Sequence, residues 1–199
     1  KETPAREGDE IIAFEIPKGC GVAKAKKILT DAKFIDNSLY FDIYAKEAKL
    51  GANIKAGYYE AEANSSPAAV LKKIIKGEVA LTEAAIPEGI TVKEIADRLA
   101  TAKVIAADDK ERFLSIALSR EGAAKFGVNA PSLEGFLFPD TYRFAKLIKP
   151  EEAIAGMIER FNKTWTEEFD KRAKELNMSK REVITLASII EKETGSPDE

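Results

Sequence analysis

The sequence predicts an α+β protein, with strands gathered early in the chain and helices late. Three observations carry that prediction. Apolar and β-branched residues cluster in short strand-like runs at Ile11-Ile-Ala-Phe-Glu-Ile16 and Lys55-Ala-Gly-Tyr-Tyr-Glu-Ala61. A strand–turn–helix phrase occurs twice. From about Asp108 onward, apolar residues recur at helical spacing, with two long patterns over 150 to 176 and 179 to 194.

Taken in order, residues 1 to 10 are polar and read as a disordered lead-in. The strand at Ile11–Ile16 runs into Pro17-Lys-Gly19, and a helical pattern follows through Val22, Ala25, Ile28 and Leu29. Seventy residues after Ile16 the phrase returns as Ile86-Pro-Glu-Gly89, with Val92, Ile95, Ala96 and Leu99 at matching offsets. In each copy Pro supplies a fixed φ for the turn, while Gly tolerates a positive φ or a close approach. The pair is an internal repeat. Between the copies, Tyr58 and Tyr59 point to opposite faces of their strand, so one is expected in the core, with the other packed or free to stack on a ligand. Ser66-Pro-Ala-Ala-Val-Leu-Lys-Lys-Ile-Ile75 reads as a short amphipathic helix that ends before Gly77. Residues 11–105 thus form a strand-containing N-terminal region and 106–199 a mainly helical one.

Composition removes many functions. A chain of 199 residues buries roughly 70% of its unfolded surface, enough for one core or two modest ones. Hydrophobic content of 45% with 33% charged residues describes a globular protein, and a net charge of −3 gives no reason to expect nucleic acid as partner. The chain contains no His, which excludes Ser-His and Cys-His nucleophiles, His metal sites and His acid/base schemes. Its single Cys, Cys20, is expected to be a small core filler and leaves no disulfide framework or thiolate cluster. Chemistry must fall to Asp, Glu, Lys, Tyr, Ser or Thr. No apolar run nears the roughly 20 residues that span a bilayer. The sequence opens at Lys1 without Met and ends at Ser196-Pro-Asp-Glu199, so an anchor is expected upstream and further sequence downstream.

Two segments concentrate candidate chemistry. Ser179-Lys-Arg-Glu182 has the spacing of a capping box and starts a helix that runs through Leu186-Ala-Ser-Ile-Ile-Glu191-Lys-Glu-Thr194. Val183, Ile184 and Ala187 lie on the face of Glu191, at eight, seven and four residues before it. A carboxyl held against that face would have the raised pKa of a general acid. The alternative is a helix end returning to water, which periodicity alone favours. The second segment, LEGFLFPDTY at 133 to 142, cannot be a regular helix, because Pro139 and Gly135 oppose it. It is expected to be a shaped loop or short strand lying on the core through Phe136 and Phe138, with Glu134 and Asp140 as candidate catalytic carboxylates; Asp140 fits a turn acceptor equally well.

With these residues in view, the chain resembles the endolytic murein transglycosylases of the MltG/YceG-like family. The resemblance rests on Ile16-Pro-Lys-Gly19, Ala56-Gly-Tyr-Tyr59, Ile86-Pro-Glu-Gly89, LEGFLFPDTY and LASIIEKET at 186 to 194, and runs from about residue 11 to the end. It implies a small LysM-like βααβ module followed by the N-terminal part of a catalytic domain, truncated after its catalytic motif. It further implies Glu191 as the catalytic residue; Glu134, Asp140, Tyr142 and Ser188 are expected beside it as substrate-binding or supporting residues, the first two as carboxylates for the positive charge that builds on the sugar ring. The implied reaction cuts the bond between N-acetylmuramic acid and N-acetylglucosamine in peptidoglycan and leaves 1,6-anhydro ends, one Glu serving as acid and then as base, with no metal or cofactor. Implied partners are peptidoglycan glycan strands and wall-synthesis proteins; the implied location is the outer face of the bacterial cytoplasmic membrane, held by a transmembrane helix this chain lacks. The competing readings are a non-catalytic glycan-binding module and a wall-synthesis scaffold. The label aminodeoxychorismate lyase, also attached to the family, finds no pyridoxal-phosphate site here.

Overall fold

The structure, a computed structural model, describes residues 8–35, 38–47 and 49–194; positions 1–7 of the expected lead-in lie outside them. The chain divides into two compact units, Lys1–Leu81 with Ala145–Leu147, and Thr82–Phe144 with Ile148–Glu199. The second copy of the repeat therefore begins the second unit. A boundary read from composition falls later, near 105, because composition registers where strands thin out and not which core a strand joins.

The first unit runs β1 (Ile11–Ile16), α1 (Val22–Asp31), α2 (Ser38–Glu47), α3 (Leu50–Asn53), β2 (Gly57–Glu62) and α4 (Pro67–Lys76). β1 and β2 pair antiparallel, with Ile11 opposite Glu62 and Ile16 opposite Gly57. Alternation places Phe14 and Ile16 inward, where they meet Leu29, Phe34, Tyr59 and Ile74 in one core. Phe14 stacks on Tyr59 at 5.7 Å and meets Phe34 edge-on at 5.5 Å. The Tyr59 hydroxyl stays satisfied by donating to the Lys55 carbonyl at 2.8 Å, while Tyr58 on the other face is half-buried. Cys20 is buried, the filler its sequence context predicts. α4 has the expected ends: the Ser66 hydroxyl accepts from Ala69 N–H, Pro67 opens the first turn, and Gly77 closes the helix at φ +74°. Lys146 belongs to this unit and pairs with Glu60 at 2.6 Å.

The second unit contains all but the first residue of β3 (Leu81–Ile86), α5 (Val92–Thr101), α6 (Lys110–Ala117), α7 (Arg120–Lys125), all but the last residue of β4 (Asp140–Ala145), α8 (Pro150–Thr164), α9 (Glu167–Glu175) and α10 (Lys180–Thr194). β3 pairs with β4, which begins within LEGFLFPDTY, the segment expected as a shaped loop or short strand in the mainly helical region. The core gathers Ile86, Ile95, Leu99, Phe113, Leu133 and Met157. The predicted helix over 150 to 176 is two helices. Trp165 leaves the α region at ψ +95° and Thr166 is extended, although neither Gly nor Pro is there to break the helix. Packing breaks it: the Trp165 ring stacks on Phe161 and tilts against Phe169, and its indole N–H donates to Asp170 at 2.6 Å.

The repeat is closer in structure than in sequence. β1 and β3 share one burial pattern along all six residues, and Gly19 and Gly89 hold φ +75° and +70°. The likeness continues past the helices. Lys33 and Lys103 both take left-handed φ, near +59° and +57°, and Phe34 N–H and Val104 N–H reach back to the carbonyls of Leu29 and Leu99.

Candidate active site

α10 starts where the capping box predicts. Ser179 Oγ accepts from Glu182 N–H at 3.3 Å, and the Glu182 carboxylate accepts from Ser179 N–H at 2.7 Å. Hydrogen bonds from the Ser179 hydroxyl, at 2.6 Å, and then from its backbone N–H hold the Glu182 carboxyl below its usual range. Along the helix, Val183 and Ile184 are half-buried, whereas Ala187 and Glu191 are exposed and Leu186, Ile189 and Ile190 stand about half out of the surface. The apolar run thus lies largely at the surface, and Glu191 has no apolar enclosure among the described residues. A depression of about 430 Å³ on α10, lined by Ser179, Thr185, Leu186 and Ile189 among others, does not include Glu191.

What α10 does meet is bare backbone at two positive-φ glycines. A Cβ built on Gly89, in the turn between β3 and α5, would lie 3.5 Å from Glu191 Cγ and 4.0 Å from its Oε1. A Cβ built on Gly135, at φ +82°, would lie 2.7 Å from Ile184 Cγ2 and 3.9 Å from Ser188 Oγ. Glu191, Ser188 and Ile184 are spaced at three and seven residues, so one face of α10 touches both segments. The turn of the second repeat copy and the LEGFLFPDTY loop are therefore brought to the same helix.

Glu134 joins the same two segments by a different route. Its carboxylate accepts the Val92 N–H, with Oε1 at 3.1 Å and Oε2 at 3.4 Å, across 42 residues of sequence. Val92 is the first residue of α5, and its N–H is among those a helix leaves unpaired. Thr91 and Glu94 add a full capping box to that terminus. A carboxylate there also meets the positive end of the helix dipole. The loop itself is anchored by Leu133 N–H to the Ala117 carbonyl at 2.7 Å, with Leu133, Phe136 and Leu137 buried.

Asp140 is held elsewhere. Its Oδ2 accepts from Arg160 Nε and its Oδ1 from Thr141 N–H at 2.7 Å, at the first residue of β4. Arg160 beside it keeps the carboxyl below its ordinary range, and the same guanidinium lies 5.3 Å from the Phe138 ring centre. The Tyr142 hydroxyl donates to the Phe138 carbonyl at 2.6 Å, and burial pushes its pKa up. Ser188 Oγ donates to the Ile184 carbonyl at 2.9 Å, on the exposed helix. Sequence reasoning could not find Arg160 or Val92 as partners, since neither lies at a periodic spacing from the carboxylate it serves.

The fold and these contacts define an α+β protein with a duplicated strand–turn–helix frame, in which a carboxylate-bearing helix rests on the second copy's turn. The chain belongs to the YceG-like family, whose model matches residues 14–199. It is 28% identical over 216 residues to an endolytic murein transglycosylase of Streptococcus pneumoniae serotype 2 (strain D39 / NCTC 7466), covering 94% of this chain and 38% of that protein. It is 27% identical over 207 residues to the endolytic murein transglycosylase of Bacillus subtilis (strain 168), covering 96% and 56%. The crystal structure of a yceG-like protein from Listeria monocytogenes is similar over 96% of this chain and 66% of its own, with a TM-score of 0.52 and 30% identity. The chain thus spans between 38% and 56% of the length of these curated relatives.

Proposed function

We propose that this chain carries the catalytic helix of an endolytic peptidoglycan lytic transglycosylase, with Glu191 as the acid and then the base. The observation that supports this reading most is the placement of Glu191 against Gly89, on the face of α10 that also meets Gly135 of the LEGFLFPDTY loop. Three of the segments that resemble the transglycosylases thereby meet along one face of α10, the face that carries Glu191. Glu191 donates its proton to the glycosidic oxygen between N-acetylmuramic acid and N-acetylglucosamine. It then takes the proton of the muramic acid primary hydroxyl as that oxygen closes on the anomeric carbon, giving the 1,6-anhydro ring. No water enters the products. A glycan laid across the Gly89 turn would cover the exposed carboxylate and supply the desolvation that proton donation near neutral pH needs. Glu134, Asp140, Tyr142 and Ser188 support the site in this reading, each already fixed by a protein hydrogen bond.

The first unit, which runs β1, α1, α2, the one-turn α3 and β2, departs from a strict strand–helix–helix–strand order only by that short α3, and in this reading is a LysM-like module that holds the glycan while the second unit cuts. In this reading the protein works in the cell envelope, on peptidoglycan strands and beside wall-synthesis proteins; among the described residues no helix is long and apolar enough to cross a membrane. The test is to treat isolated peptidoglycan with the full-length protein and with Glu191→Gln, and to read released anhydro-muropeptides by mass spectrometry. Release by Glu191→Gln is expected to fall at least ~10²-fold, the scale of a lost general acid. Equal release by both forms sinks the assignment, and release by neither moves the protein to the glycan-binding or scaffold class.

A further inference from the structure

Glu134 links the two segments on which α10 rests. Its carboxylate takes the Val92 N–H, three residues after Gly89, and Gly135 beside it takes the close approach of Ile184. From Ile184 the helix leads two turns on to Glu191, whose side chain lies back on Gly89. The contacts close a ring: Glu191 to Gly89, along the turn to Val92, across to Glu134 and Gly135, onto Ile184, and along α10 to Glu191. Every member belongs to the second unit. The Glu134 bond is a polar link in that ring; at the two glycines, side chains of α10 occupy the space beside the bare backbone, 3.5 Å from where a Gly89 Cβ would stand and 2.7 Å from where a Gly135 Cβ would.

We propose that Glu134 is a positioning residue that sets the Glu191 carboxyl against the Gly89 turn through its acceptor bond to Val92, and does not act by its charge on the substrate. This rests on the reading of Glu191 as the acid. An acceptor role and a charge role make opposite demands on the side chain. Gln keeps the length and one acceptor oxygen but loses the charge. Asp keeps the charge but, one methylene shorter, cannot reach Val92 from the same backbone.

The experiment measures kcat and KM for anhydro-muropeptide release by the full-length protein carrying Glu134→Gln, Glu134→Asp or Glu134→Ala, with Glu191→Gln in parallel and melting temperatures for all. Expected is turnover within ~3-fold of wild type for Glu134→Gln, and a fall of ~10-fold to 10²-fold in kcat for Glu134→Asp and Glu134→Ala, at similar KM, the scale of a misplaced catalytic group. Glu134→Asp retaining more turnover than Glu134→Gln overturns the proposal in favour of a charge role. Wild-type kcat in all three overturns it in favour of a purely structural cap. If Glu134→Ala does not fold, the order of Gln and Asp still decides. Full activity of Glu191→Gln removes the underlying reading instead, whatever the Glu134 variants do.

Discussion

The two copies of the strand–turn–helix phrase are nearly the same object put to different uses. Both bury the same strand positions, turn through a positive-φ glycine and leave their helix through a left-handed lysine. They differ at the turn. Among the described residues Gly19 has nothing within 4 Å of where a Cβ would stand, and Gly21 leads into α1 without a side-chain cap. Gly89 has Glu191 against it, and α5 begins with a Thr91–Glu94 capping box and the Glu134 carboxylate on Val92. The local chain makes the frame; what is packed onto the turn makes the site.

The comparison breaks most visibly at the helix cores. Leu29 and Leu99 occupy equivalent, fully buried positions, and either Leu→Ala change is expected to cost about 2–5 kcal/mol in denaturant unfolding of the full chain. Turnover of the folded protein should fall with Leu99→Ala, which loosens the frame under α10, and not with Leu29→Ala. Equal losses of turnover would mean that the copies are not functionally distinct. A smaller effect is expected at the turns. Ala at Gly19 or at Gly89 must enter the left-handed region, at about 1–2 kcal/mol each. Only Gly89→Ala also brings a methyl group to van der Waals distance of Glu191, 3.5 Å from its Cγ, so a fall in turnover is expected there alone, and an equal fall from Gly19→Ala would count against the seat.

The smallest difference is a pH dependence. Hydrogen bonds from the Thr91 backbone and then its hydroxyl hold the Glu94 carboxyl below its ordinary value, while the equivalent position in the first copy is Lys24. A depressed carboxylate stabilises the fold above the unfolded pKa of about 4.3 and loses that contribution as pH falls through the lower folded value. Glu94→Gln should therefore flatten the acid limb of a melting-temperature profile, and Lys24→Gln should leave it unchanged.

The sequence made local features readable and left the long-range ones hidden. The repeat, both ends of α4 and the start of α10 rest on interactions within a few residues, and spacing exposes such interactions directly. The corner at Trp165 was not readable, because aromatic packing turns the chain there without Gly or Pro. Nor were the engagements of Glu134 and Asp140, whose partners lie 42 and 20 residues away. Glu191 could be singled out as a carboxylate on an apolar helix, but its exposure depends on what lies over α10, which periodicity does not encode.

One consequence of the two glycines concerns entropy. Where α10 rests on Gly89 and Gly135, the surface beneath it is main chain already fixed by a turn and by a capped helix. Seating a helix on side chains would freeze their rotamers, at up to about 2 kcal/mol for a long one. Glycine has no rotamers to freeze. Elsewhere α10 meets side chains, with Ile184 packed against the core and Lys180 over the Phe161 and Trp165 rings, so the saving is confined to its two glycine contacts.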